Sequence, residues 1–310
     1  MKIGDTRSQI MVEQMQVNHS SADTLSSFQF ETHMISTAIK ELKNNRAPGS
    51  SGLSSKILKT FSDILTSPLT AIYNRSIQLE TTFCPTFESI LVPLPKSNFN
   101  NSPQTVRFIS LNNIELKIFD GLLISLVKEF LEKKGFQSKA QHGGLKKKNC
   151  LTALIKMMFT AAKMLGRYPQ NTVYIASLDY SSFFDSIDSA KLTRKLYDLG
   201  IRDQILYQIY MILTNREIRM RLDNHISQPT KVKNGIAQGA KSSTTLADIY
   251  TSSIGGEETQ TKSKVVFIDD TLIIHCVQSN EEGTKEAQQH LNMIYKQSEE
   301  LNLRLNGSKF

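Results

Sequence analysis

Apolar residues at Ile35, Ala38, Ile39 and Leu42 recur with the three-and-four spacing of a helix that buries one face. KNNRAPGSSG ends that pattern, because Pro48, Gly49 and Gly52 break helical backbone. Ile57, Leu58, Phe61 and Leu65 predict a second helix, and Leu69 to Ile77 a third. Two short extended pieces follow, SILVPLPK and VRFISL, separated by a polar turn. Longer helical stretches are expected at about 113–134 and 150–166.

From Tyr174 the pattern shifts. YIASLDYS reads as a buried strand, and DSAKLTRKLYDLG as a helix capped by Asp188 or Ser189 and stopped at Gly200. EIRMRLDN alternates as a strand does. A polar loop carrying GIAQGA leads into the helix STTLADIYTS, then into the hairpin KVVFIDDTLIIHC. An amphipathic helix over about 280–301 precedes LNLRLNGSK. Residues 1–27, rich in Ser, Gln and Asn, lack periodicity and read as a flexible leader. Helices first, then strands mixed with helices, place the chain in the α+β class.

Composition adds a partner to this picture. Among 310 residues, Lys and Arg outnumber Asp and Glu by 37 to 29, a net charge of +8 that favours a polyanion such as nucleic acid. Cys84, Cys150 and Cys276 lie far apart with no CxxC, which argues against a disulfide framework or structural zinc. No apolar run approaches the ~18 residues of a membrane span, and the N-terminus has no signal-peptide core. An intracellular protein, cytosolic or nuclear and not secreted, is the expectation.

The chemistry rests on aspartates in unusual places. Asp is a poor strand former and expensive to bury, yet Asp269 and Asp270 stand side by side between two apolar runs. They could be the solvated tip of a hairpin. However, Asp179 also closes an apolar run, VYIASL. Three carboxylates at neighbouring strand ends would repel one another, and hard divalent cations such as Mg²⁺ relieve that repulsion. A pair of such ions supports nucleotidyl transfer.

Taken in order, the motifs resemble the reverse transcriptase domain of non-LTR (LINE-type) retrotransposons, with related features of group II intron enzymes. The likeness runs from about residue 35 to the last residue. KNNRAPGSSGLS is similar to the family's KNNKAPGPDG, and ILVPLPK with VRFISL to its PIPK and RPISL strands. SLDYSSFFDSID resembles the first catalytic motif, and GIAQGAKSSTTLADIY the GxPQGxxxSPxLxNIY motif. FIDD resembles the YxDD box, and LNLRLNGSK the GLxxNxxK motif.

This resemblance implies a right-hand polymerase with fingers and palm, an antiparallel sheet and helices packed on one face. Residues 28–172 would form a fingers-like region with N-terminal helices, and 173–310 the palm. The family's helical thumb has no counterpart before Phe310, so the expectation is a thumb-less, truncated copy. The activity implied is RNA-directed DNA polymerisation with two Mg²⁺ ions, for which Mn²⁺ can substitute. Its partners are an RNA template, a DNA or RNA primer and deoxynucleoside triphosphates, and no membrane; nothing sets the oligomeric state. Asp179, Asp269 and Asp270 would hold the metal. Phe184 would lie beneath the sugar, Lys96 and Arg107 would grip the triphosphate, Gln238 and Gly239 would border nucleotide and template, and Lys309 would protonate pyrophosphate.

Departures from the pattern frame the alternatives. Val106 and Phe108 flank Arg107 where the family has Tyr and Pro. QHGGLKKKNC lacks the Phe and Arg of the family's GFR-like segment, at Gly144 and Leu145. Ala237 and Thr244 replace two prolines, which predicts a looser loop around Gln238. A catalytically weak or inactive RNA-binding remnant, or an intron-maturase-like RNA-binding protein, are the other readings.

Overall fold

The computed structural model describes residues 24–44, 47–95, 106–136, 140–145 and 147–307. In chain order the elements are α1 (Thr32–Lys40), α2 (Ser55–Thr60), α3 (Ser62–Gln78), β1 (Phe87–Pro95), β2 (Val106–Asn112), α4 (Ile114–Lys133), α5 (Cys150–Arg167), β3 (Asn171–Leu178), α6 (Phe183–Ser186), α7 (Ser189–Asp198), α8 (Asp203–Thr214), β4 (Arg216–Leu222), β5 (His225–Ile226), β6 (Thr230–Val232), α9 (Ser243–Thr251), β7 (Lys262–Phe267), β8 (Asp270–Gln278) and α10 (Glu281–Glu300). They fall into two compact units, one of residues 1–135 and 189–243, the other of residues 136–188 and 244–310.

The first unit packs helices against a sheet of order β2-β1-β4-β5, with β6 beside β4. β1 and β2, the two extended pieces of the sequence, pair antiparallel, with Leu94 opposite Arg107 and Ser89 opposite Asn112. β1 and β4 run parallel, which corrects the expectation of a purely antiparallel sheet. Nothing in either strand's alternation distinguishes the two directions. The core is an aromatic cluster in which Phe119 of α4 meets Phe30, Tyr73 and Phe83 at centroid separations of 5.1–6.2 Å. α3 starts at Ser62, earlier than the sequence pattern placed it, and runs through Pro68. The carbonyl that Pro68 leaves unbonded within the helix belongs to exposed Ile64.

The second unit is built on a three-stranded antiparallel sheet of order β3-β8-β7. Successive side chains of β8 alternate between faces, and both faces are covered. Ile274 and Cys276 pack with Val265 against Ala153 and Met164 of α5. His275 points the other way, its ring 4.8 Å from that of His290 on α10. Helices therefore cover both faces of this sheet rather than one. β3 is an edge strand, not a buried one, leaving Ile175 46% exposed. Among the described residues no helix is long and apolar enough to cross a membrane.

The histidine pair gives this unit a pH dependence. His275 and His290 are 3% and 6% exposed, and His275 Nε2 lies 3.2 Å from Glu286 Oε1. Burial holds both imidazoles below their ordinary value of 6.5, reinforced by the Lys262 charge and opposed by Glu286. A base whose folded pKa is depressed binds fewer protons when folded than when unfolded. Stability is therefore complete above about 6.5 and lost as pH falls through that value. The melting temperature should drop between pH 7.5 and pH 5, and His290→Leu should flatten that slope. An unchanged slope in the variant would contradict this assignment.

Candidate active site

Asp179 follows β3 directly. The antiparallel ladder ends at the Leu178–Thr271 pair, so Asp179 is the first residue past the end of β3 and Asp270 is the neighbour of Thr271 at the same end of β8. Phe267 pairs with Asp270 across β7 and β8, leaving Ile268 and Asp269 as the two central residues of a tight hairpin turn. All three aspartates thus sit at one end of one sheet, on adjacent strands. Asp179 and Asp269 are half-buried, and Asp270 is exposed.

Asp179 is held from both its backbone and its side chain. Its carbonyl accepts from the Asn306 backbone N–H at 2.8 Å, and its Oδ2 accepts from Asn306 Nδ2 at 2.8 Å. Ser181 donates to the Arg304 carbonyl, and Tyr180 bridges Leu305, so LNLRLN runs antiparallel beside DYS. Asn306 went unassigned in the sequence, although its place in the NxxK pattern was the available signal. Phe184 lies in α6, a single turn entered through Ser182 at φ 49. It is half-buried and meets Phe183 edge-on at 5.3 Å.

Gln238, Gly239 and Arg107 belong to the first unit. Arg107 is exposed on β2, and three residues on, Ser110 donates its N–H to the Gln238 carbonyl at 3.3 Å. Gly239 takes φ 102, a backbone that side chains rarely adopt. Hydrogen bonds stand where the two prolines are missing. The single Ser243 Oγ–H is shared between the Ala237 and Ala240 carbonyls, 2.7 and 3.0 Å away. The Asp120 carboxylate, 3% exposed, accepts from the Ser242 N–H at 3.1 Å. Burial pushes the Asp120 carboxyl up, opposed by its bonds from Ser242 and the charge of Lys241. The loop is therefore tied rather than loose. Lys96 and Lys309 lie outside the described residues.

The donor set suits a hard divalent cation, being carboxylate oxygens without sulfur or imidazole. Among the described residues no three acidic, His or Cys side chains converge on one point. A family model described as reverse transcriptase (RNA-dependent DNA polymerase) matches residues 94–310, more than half of the chain. The chain belongs to the reverse transcriptase family. The match takes in β1 from Leu94 onward, all three aspartates and Asn306. No curated protein matches the chain by sequence.

Proposed function

We propose that this reverse transcriptase-family chain is the RNA-directed DNA polymerase domain of a non-LTR retrotransposon-like element, adding deoxynucleotides to a primer 3′ hydroxyl. The observation that carries this reading is the placement of Asp179, Asp269 and Asp270 at the same end of one sheet, on adjacent strands. Asp179 and Asp269 would hold Mg²⁺, or Mn²⁺ in its place, with Asp270 beside them. When bound, such ions stabilise charge on the attacking and leaving oxygens. Asn306 keeps one Asp179 oxygen oriented. Arg107, with Lys96, would grip the triphosphate, since a guanidinium can bond two oxygens at once. Gln238 and Gly239 would border the nucleotide, and Lys309 would give a proton to pyrophosphate.

Wild type should extend a primer on an RNA template with Mg²⁺, and the absence of extension with either Mg²⁺ or Mn²⁺ would remove this reading. The net charge of +8 favours RNA retention under either reading. Retention that survives loss of Asp179, with no extension by wild type, is the result that selects the RNA-binding remnant.

Phe184 supports a sugar-gating role by its place five residues after Asp179, half-buried with its ring edge-on to Phe183. Phe184→Val is expected to raise ribonucleotide incorporation by roughly tenfold or more relative to deoxynucleotides, the scale of one steric contact in a tight pocket. Unchanged discrimination in single-nucleotide kinetics would assign Phe184 to packing alone.

A further inference from the structure

The turn that carries Asp269 is conformationally costly, and a single side-chain oxygen ties it down. Ile268 occupies the first central position with φ 62, a region that β-branched residues avoid. Its N–H donates to Gln141 Oε1 at 2.9 Å. The same oxygen accepts from the Gly143 N–H at 2.8 Å. Gln141 is 2% exposed, so both bonds are shielded from water.

The segment supplying that oxygen is itself docked along β7. The Val266 N–H donates to the Ala140 carbonyl at 2.9 Å, and the His142 N–H donates to the Val266 carbonyl at 2.7 Å. Lys148 Nζ donates to the Gln141 carbonyl at 2.6 Å. Gly143 permits the close approach, because a Cβ there would lie 2.4 Å from Ile268 Cγ1 and 2.7 Å from Ile268 N. Segment and turn therefore form one clasp around the left-handed residue that precedes Asp269.

We propose that Gln141, with Gly143, is a positioning residue that holds the Phe267–Asp270 turn in its left-handed form and thereby aims the Asp269 carboxylate. Its consequence for catalysis rests on the polymerase reading above; the clasp itself does not. Gln141→Met keeps the length and volume of the side chain while removing its strong acceptor. Gly143→Ala inserts the excluded Cβ and gives a second, independent route to the same effect.

Hydrogen–deuterium exchange of peptides spanning 264–271 should be about tenfold faster in both variants, with exchange across 171–178 unchanged. Mn²⁺ binding, followed by electron paramagnetic resonance, should weaken several-fold. Where wild type extends primers, kcat should fall by about 10- to 100-fold with little change in the nucleotide KM, the scale set by a misplaced catalytic group. Adding Ile268→Gly to Gln141→Met should restore exchange, Mn²⁺ binding and kcat, because glycine adopts the left-handed backbone freely. A purely structural Gln141 would lower the melting temperature without that recovery.

Unchanged turn exchange in both variants, or no recovery on adding Ile268→Gly, overturns the clasp whether or not wild type copies RNA. A wild type that copies nothing but shows the exchange difference and its recovery retains the clasp and removes the polymerase reading.

Discussion

Asp269→Ala is expected to lower primer extension by at least about a thousandfold, equivalent to about 4 kcal/mol of lost transition-state stabilisation. The melting temperature should stay within a few degrees of wild type. Both expectations follow from where Asp269 sits. It is a central residue of a two-residue turn, half-buried and outside the paired positions of β7 and β8, so its removal empties no core. Asp179→Ala should be as damaging to activity and somewhat more so to stability, since it also frees the Asn306 side-chain amide. Asp270 is exposed, and its backbone pairs with Phe267 whatever its side chain. Asp270→Ala should therefore have a smaller effect, on the order of tenfold. Single-turnover extension and thermal melting on the same preparations separate the two effects. Equal losses at all three positions, or loss of the fold with loss of activity, would contradict this ranking.

Gly283→Ala is expected to be the most destabilising single methyl on the sheet that carries the aspartates. A Cβ at Gly283 would lie 1.9 Å from the Gln278 carbonyl oxygen and 2.8 Å from its carbon. These are backbone atoms of β8, so no rotamer change relieves the clash. The Gly283 N–H is also fixed by Asn280 Oδ1 at 2.8 Å, which pins the first turn of α10 against the strand end. Relief requires α10 to move away from β8, opening the packing of Ala287, His290 and Ile294, all less than a tenth exposed. Overpacking of this kind costs about 1–3 kcal/mol and sometimes more. At roughly 2–4 °C per kcal/mol for a chain of this size, melting should fall by about 2–12 °C. Gly166→Ala, a helical glycine whose added methyl meets nothing within 4 Å, is the control that should not lower melting and should raise it slightly, since Ala favours the helix. Equal melting of both variants with wild type would show that α10 can shift without loss.

Much of the fold could be read from the chain because local pattern and motif agreed. The hairpin around Asp269 was visible as two apolar runs meeting at a pair of carboxylates. α7 was visible by its stop, Gly200, which takes φ 101 just past the helix end. What stayed hidden was long-range. The pairing of β1 with β4 joins residues more than a hundred positions apart, and a strand's alternation carries no direction. The coverage of both sheet faces depends on His275, a polar residue that pattern reading assigns to solvent but that α10 buries. α8 went unread although Ile205, Leu206, Ile209, Tyr210 and Leu213 recur at helical spacing and are all buried. The aspartates were found through their company of apolar residues. Their supports, Asn306 and Gln141, were not, because each acts through hydrogen bonds to a specific neighbour rather than through a periodic pattern.

Under the polymerase reading, divalent ions bind between the end of β3 and the β7–β8 turn. Replacing Mg²⁺ with Fe²⁺ in the presence of ascorbate and peroxide generates hydroxyl radicals at bound metal, which cut the backbone nearby. The cuts are expected within 178–181 and 268–271, to be suppressed by excess Mg²⁺, and to vanish in Asp269→Ala. Cleavage elsewhere, or cuts at these segments that persist without Asp179 and Asp269, would contradict the account.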